Sequence, residues 1–157
     1  MKPKLYLETT IPSYYVARPS RDVIRTGQQK LTIDWWNTRL NDFEIYVSEE
    51  VIDEVSSGDQ MMAKQRIELL RPFKLLATTD KVIELAEALI HGGPLPKKAA
   101  RDAAHIALSA VHGMHFLLTW NCTHIANAEM FTKMHEICLA HDLKCPVICT
   151  PGELIVK

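Results

Sequence analysis

The chain has 157 residues, 47% of them apolar and 24% charged, and a formal net charge of −1. That is enough material for one domain, spanning 1–157, with a buried core. The composition argues against a disordered segment, and the charge against a protein that captures nucleic acid through a global positive field, so any phosphate contact must be local.

Met1-Lys2-Pro3-Lys4 leads directly into Leu5-Tyr6-Leu7, the first expected strand. Neither a secretory leader nor a membrane-spanning run is visible, so the expectation is a cytoplasmic protein, with no membrane partner and with Cys122, Cys138, Cys145 and Cys149 as free thiols. Zinc at those cysteines with His124, His135 and His141 is the competing idea, but no C-x-x-C pair exists. Glu8-Thr9-Thr10 follows the first strand, and Pro12 favours a short helix start. The polar stretch from Arg18 to Lys30 carries Arg18, Arg21, Arg25 and Lys30. Leu31, Trp35 and Arg39, with Ile33, Trp36 and Leu40, then repeat at helical spacing.

Ile45-Tyr46-Val47 is the second strand, and Ser48 caps a helix that Gly58 stops. Asp59 caps another helix, ended before Pro72. Leu75-Leu76 is a weak third strand. Thr79 caps a helix broken at Gly92-Gly93-Pro94. The alanine-rich run Ala99 to Ala110 reads as a core helix carrying a polar line of Asp102, His105 and Ser109. Phe116 to Trp120 is the fourth strand, with Asn121 at its carboxyl end. A helix over Asn127 to His141 and a strand over Pro146 to Cys149 complete the chain. Short apolar strands separated by helices define an α/β fold with a mostly parallel sheet, and such sheets bind ligands at the carboxyl ends of their strands.

Glu8, Ser48 with Glu49 and Glu50, Asn121 and Thr150 fall at that rim, and Asp102 joins them if its helix starts above the sheet. Glu8 alone reads equally well as a turn residue. Asp102, flanked by alanines, needs a cation or a set of donors, and Lys98 one turn earlier is the plain structural partner. Spacing alone does not choose among Glu49, Glu50, Asp53 and Glu54. Acids and an amide gathered without an obvious histidine base point to a hard divalent cation and phosphate chemistry. His105 reads as a hydrogen-bonded structural histidine, and Trp35 and Trp36 as core or dimer contacts before base-stacking groups.

LYLETT, SEEVIDEV, RDAAHIALSAV and FLLTWN resemble, in order, the motifs of the PIN domain, closest to toxin nucleases of the VapC type. The resemblance implies a three-layer α/β/α fold with a central sheet of four to five strands. It implies a Mg²⁺- or Mn²⁺-dependent endoribonuclease, the toxin of a toxin–antitoxin pair, dimeric and neutralised by an antitoxin protein. By position the catalytic set becomes Glu8, Glu54, Asp102 and Asn121, with Glu8, Asp102 and Asn121 on the metal. RNA contacts fall to Arg18, Arg21, Arg25, Lys98, Arg101 and Thr119. Two departures stand out: glutamate replaces the usual first aspartate, and Asn121 replaces the usual last acid, removing one negative charge. The alternative is therefore a catalytically weak or inactive PIN-like module that binds RNA or a protein. A phosphoacceptor receiver domain fits poorly, because threonines stand where it needs its aspartate and lysine.

Overall fold

The computed structural model describes residues 1–155, so the last two residues of the expected 1–157 domain lie outside the described ones. Its strands are β1 (Lys4–Leu7), β2 (Glu44–Ser48), β3 (Lys74–Leu76), β4 (Phe116–Leu118) and β5 (Val147–Cys149). They form one sheet in the order β3-β2-β1-β4-β5, every pairing parallel. The helices are α1 (Thr10–Val16), α2 (Val23–Arg39), α3 (Glu49–Val55), α4 (Gln60–Leu70), α5 (Asp80–His91), α6 (Ala100–Val111) and α7 (Phe131–Ala140). From β1 the chain steps outward to β2 and β3, then crosses back to β4 on the other side of β1. Right-handed crossovers place α1 to α4 on one face and α5 to α7 on the other, giving three layers.

Local chemistry fixes most boundaries. Ser48, Asp59 and Thr79 each accept a hydrogen bond from a backbone N–H three residues on, capping α3, α4 and α5 as the sequence predicts. Gly113, with φ of +71°, turns the chain out of α6. The clearest difference is α2, which starts at Val23, eight residues before the apolar repeat at Leu31. Asp22 caps it through Arg25 N–H, and its first turns are exposed, so no apolar stripe announces them. Trp35 and Trp36 belong to the core, packed with Phe43, Tyr15 and Phe73, and neither offers a face to a base. The carboxyl end of β4 comes at Leu118, so Thr119 and Trp120 belong to the rim instead of the strand.

Gly93 shows how tightly the second layer closes. A Cβ there would lie 2.3 Å from the Leu89 carbonyl oxygen and 2.6 Å from Ile137 Cδ1 of α7. Gly27, inside α2, has nothing within 4 Å of the same position. Thermal denaturation separates the two: Gly93→Ala is expected to destabilise the fold by about 1–3 kcal/mol. Gly27→Ala is expected to stabilise it by up to about 1 kcal/mol.

Candidate active site at the carboxyl rim of the sheet

β1 lies at the switch of the sheet, and the connections leaving β1 and β4 run to opposite faces. The carboxyl ends of these two strands are where open α/β sheets place their ligand sites. Leu7 pairs with Leu118, and Glu8 N–H continues the ladder by donating to Leu118 O at 3.1 Å. Glu8 is thus pinned at that rim, only 3% exposed. Its Oε1 accepts from Thr10 N–H at 3.0 Å, Thr10 Oγ1 at 2.5 Å and Thr119 Oγ1 at 2.7 Å. Burial pushes the Glu8 carboxyl above the usual carboxylate range, and the charge of His105 and these hydrogen bonds offset only part of it.

Glu54 reaches the same rim from α3. Its Oε1 accepts from Thr9 Oγ1 at 2.8 Å and meets His105 Nε2 at 2.5 Å. Burial raises its carboxyl, but His105, Thr9 and the charge of Arg101 outweigh that and leave it below the usual value. His105, fully buried on α6, joins Tyr6 OH through Nδ1 at 2.7 Å, and Tyr6 OH joins Ser48 Oγ at 2.6 Å. Both ring nitrogens are therefore engaged inside the protein. Desolvation holds the Tyr6 phenol well above its ordinary value, with nearby Glu8, Glu54 and Glu50 adding to it against the Ser48 hydrogen bond. Of the competing acids on α3, Glu49 and Asp53 are exposed and Glu50 turns to Arg101 Nε at 3.4 Å.

The last two predicted residues connect to Glu8 through Thr119. Thr119 Oγ1 accepts from Asn121 N–H at 2.9 Å, and Asn121 Oδ1 accepts from His124 N–H at 3.0 Å. His124 Nδ1 then meets Asp102 Oδ2 at 3.0 Å. Asp102 is one-fifth exposed, and its partner is this histidine in place of Lys98. Glu8, Thr119, Asn121, His124 and Asp102 therefore form one hydrogen-bonded line at the carboxyl rim of the sheet. Adjacent Thr9 and Thr10 tie Glu54 to it. The histidines, and threonines 9 and 10, are what sequence reasoning undervalued. The runs HIALSAV and LETTI, and the loop position of His124, give no sign that these residues bridge acids far apart in the chain.

Oxygen donors of Glu8, Asp102 and Asn121 suit a hard cation. Among the described residues no lysine, arginine or histidine forms an ion pair with Glu8, and no donor meets its Oε2. Among the described residues the buried unpaired side-chain atoms are Trp35 Nε1 and His135 Nε2, so Oε2 keeps some contact with solvent. Among the described residues no three His, Cys, Asp or Glu side chains form a group able to hold a metal. Glu8, Glu54 and Asp102 therefore do not form such a group, and Glu54 Oε1 is taken up by Thr9 and His105. The donors fit an ion that takes one or two carboxylates and keeps its waters, as Mg²⁺ does.

The expected RNA contacts divide. Arg18 and Arg25 border a pocket of about 350 Å³ beside α1, while Arg21 is exposed outside it. Lys98 is exposed on the turn before α6, and Arg101 is paired with Glu50. No described helix is long and apolar enough to cross a membrane.

No family model and no curated protein matches the sequence. The fold does match a solved structure, that of VapBC2 from Rickettsia felis bound to a DNA fragment from their promoter. The match has a TM-score of 0.58 and 14% identity, and it covers 93% of this chain and 97% of that one. The molecule shares that α/β fold, consistent with the PIN-like architecture expected from its motifs.

The Glu8 environment makes a checkable statement about stability. A carboxyl raised on folding destabilises the native state when ionised, and the penalty disappears as pH falls toward its unfolded value of 4.5. In metal-free buffer at pH 7.5, Glu8→Gln keeps an oxygen for Thr10 and Thr119 and is expected to raise Tm by about 2–4 °C, roughly 1 kcal/mol at this size. Melting curves at decreasing pH should show that advantage shrinking to nothing near pH 4.5.

Proposed function

We propose that this protein is a Mg²⁺- or Mn²⁺-dependent endoribonuclease, with Glu8, Asp102 and Asn121 offering oxygens to the ion. The observation that carries the proposal is the hydrogen-bonded line from Glu8 through Thr119, Asn121 and His124 to Asp102, at the carboxyl ends of β1 and β4. Acids far apart in the chain are linked there, and Glu8 is held at a cost in burial. A fold that needed only stability would place apolar groups at the same positions.

When bound, the ion would orient water and absorb charge on the phosphodiester oxygens as the P–O bond to the leaving group breaks. The chain's own residues do the rest. Thr10 and Thr119 fix the Glu8 carboxylate by holding one oxygen and freeing the other. His124 holds Asp102 by one oxygen in the same way. Thr9 and His105 keep Glu54 ionised, within the rim, as an acceptor for a water proton. Arg18 and Arg25 meet the phosphates of the incoming strand as contacts that position the RNA without reading its sequence.

The shared fold with VapBC2 supports a wider reading, in which the protein is the toxin of a toxin–antitoxin pair. On this reading it works in the cytoplasm, as a homodimer silenced by an antitoxin protein.

Incubation with single-stranded RNA should give cleavage in Mg²⁺ or Mn²⁺ and none in EDTA. Asp102→Asn and Glu8→Gln are each expected to lower the rate by about 100-fold or more, the loss of several kcal/mol of charge stabilisation. Asn121→Asp, which restores the missing charge, should lower the Mg²⁺ concentration needed for half-maximal cleavage. RNA binding without cleavage in any metal would overturn the enzyme and leave a binding module.

A further inference from the structure

The pocket bordered by Arg18 and Arg25 has an aromatic wall that the nuclease reading does not use. Ser13, Tyr14, Arg18, Ser20, Arg25 and Gln29 line it, and no acidic residue is among the lining residues. Arg25 Cζ lies 5.8 Å from the Tyr14 ring centroid. Tyr14 in turn stacks on Trp120, with centroids 6.2 Å apart and planes 19° off parallel.

Trp120 is held at both ends. Its backbone N–H donates to Thr10 Oγ1 at 2.8 Å, the same hydroxyl that donates to Glu8. Its indole Nε1 donates to the buried Thr32 Oγ1 at 2.7 Å. The aromatic pair is therefore a rigid plate whose inner end is bonded to the residue that positions Glu8. Its outer end faces a basic pocket. Gln29 is part of the scaffold, since its side chain bonds Arg18 O and Ser20 N–H and shapes the loop that carries Arg18.

We propose that this pocket is a nucleobase subsite: one base of a single-stranded RNA displaces the Arg25 guanidinium from the face of Tyr14 and stacks there, and Arg25, swung aside, takes the flanking phosphate with Arg18. A flat aromatic wall offers every base a π-face, and guanidinium groups serve both phosphate and ring. A volume of about 350 Å³ accommodates a base with its ribose. Trp120 acts as the buttress: it keeps the Tyr14 ring upright and sets the spacing between the stacked nucleotide and Glu8. The subsite therefore positions the strand for cleavage a fixed step away. The choice of RNA as ligand rests on the nuclease reading, while the stacking geometry does not.

Binding is tested in EDTA, with a fluorescein-labelled 2′-O-methyl heptanucleotide that resists cleavage, followed by anisotropy. Tyr14→Leu is expected to weaken binding by about 10-fold or more, and Tyr14→Phe to leave it nearly unchanged. Moving a single abasic site along the oligonucleotide should find one position with the same loss, and Tyr14→Leu should cost nothing further against that oligonucleotide. This arm keeps the protein intact, so a folding defect in the leucine variant does not blur the result. Equal affinity for Tyr14→Leu and the parent would overturn the subsite. So would a loss equal for every abasic position, or a pocket that binds only an acidic peptide. Absence of cleavage in metal with the stacking pattern intact would overturn the nuclease and leave the subsite standing. Metal-dependent cleavage with Tyr14→Leu silent in affinity would do the reverse.

Discussion

Burial of the Glu8 carboxylate at the end of the central strand is the constraint from which the site follows. Taking a charge out of water costs several kcal/mol unless donors or a cation replace the lost hydration. Three donors, from Thr10 and Thr119, converge on a single oxygen and offset part of that cost. To deliver them, β4 must run beside β1 in register, and the chain must turn into α1 immediately after Thr9. The sheet order, the threonine pair and the loop after β4 are all needed to keep one acid in place.

The second acid obeys the same logic by a different route. Glu54 is only half-buried, and it is held by a histidine that is itself locked by Tyr6 and Ser48. Ser48 also caps α3, so one hydroxyl sets both the start of the helix that carries Glu54 and the far end of the network that grips it. His105 has no free nitrogen for a substrate. Its role is to couple the core beneath the sheet rim to the charges on top of it. Asp102, three residues earlier on α6, is part-exposed at the rim and is steadied by His124. Two histidines with similar carboxylate partners thus serve different purposes, decided by burial: one is sealed in the core and the other is part-exposed at the rim.

Much of this was readable in the sequence, for physical reasons that particular residues make plain. Strand-end acids and helix caps are local, and Ser48, Asp59, Thr79 and the strand ending at Leu7 stand where turn chemistry and apolar runs put them. The start of α2 was not, because its first turns bury little and leave no periodic trace. The histidine links were not, because a residue in an alanine-rich helix and one in a loop nineteen positions on give no sign of which acid each will meet. Trp35 and Trp36 lie in the core, as their place on an amphipathic helix implies. Tyr14 and Trp120, far apart in sequence, form the plate at the surface. Pairings across the sheet are set by strand order, and strand order appears only when the chain is folded.

On the proposed reading, a hard divalent ion binds between Glu8, Asp102 and Asn121 at the carboxyl ends of β1 and β4. Titration of the metal-free protein with Mn²⁺, following the free-ion signal by electron paramagnetic resonance, tests it directly. A single class of site is expected, lost in Glu8→Gln and in Asp102→Asn and strengthened in Asn121→Asp. Mn²⁺ uptake indifferent to all three substitutions would contradict it.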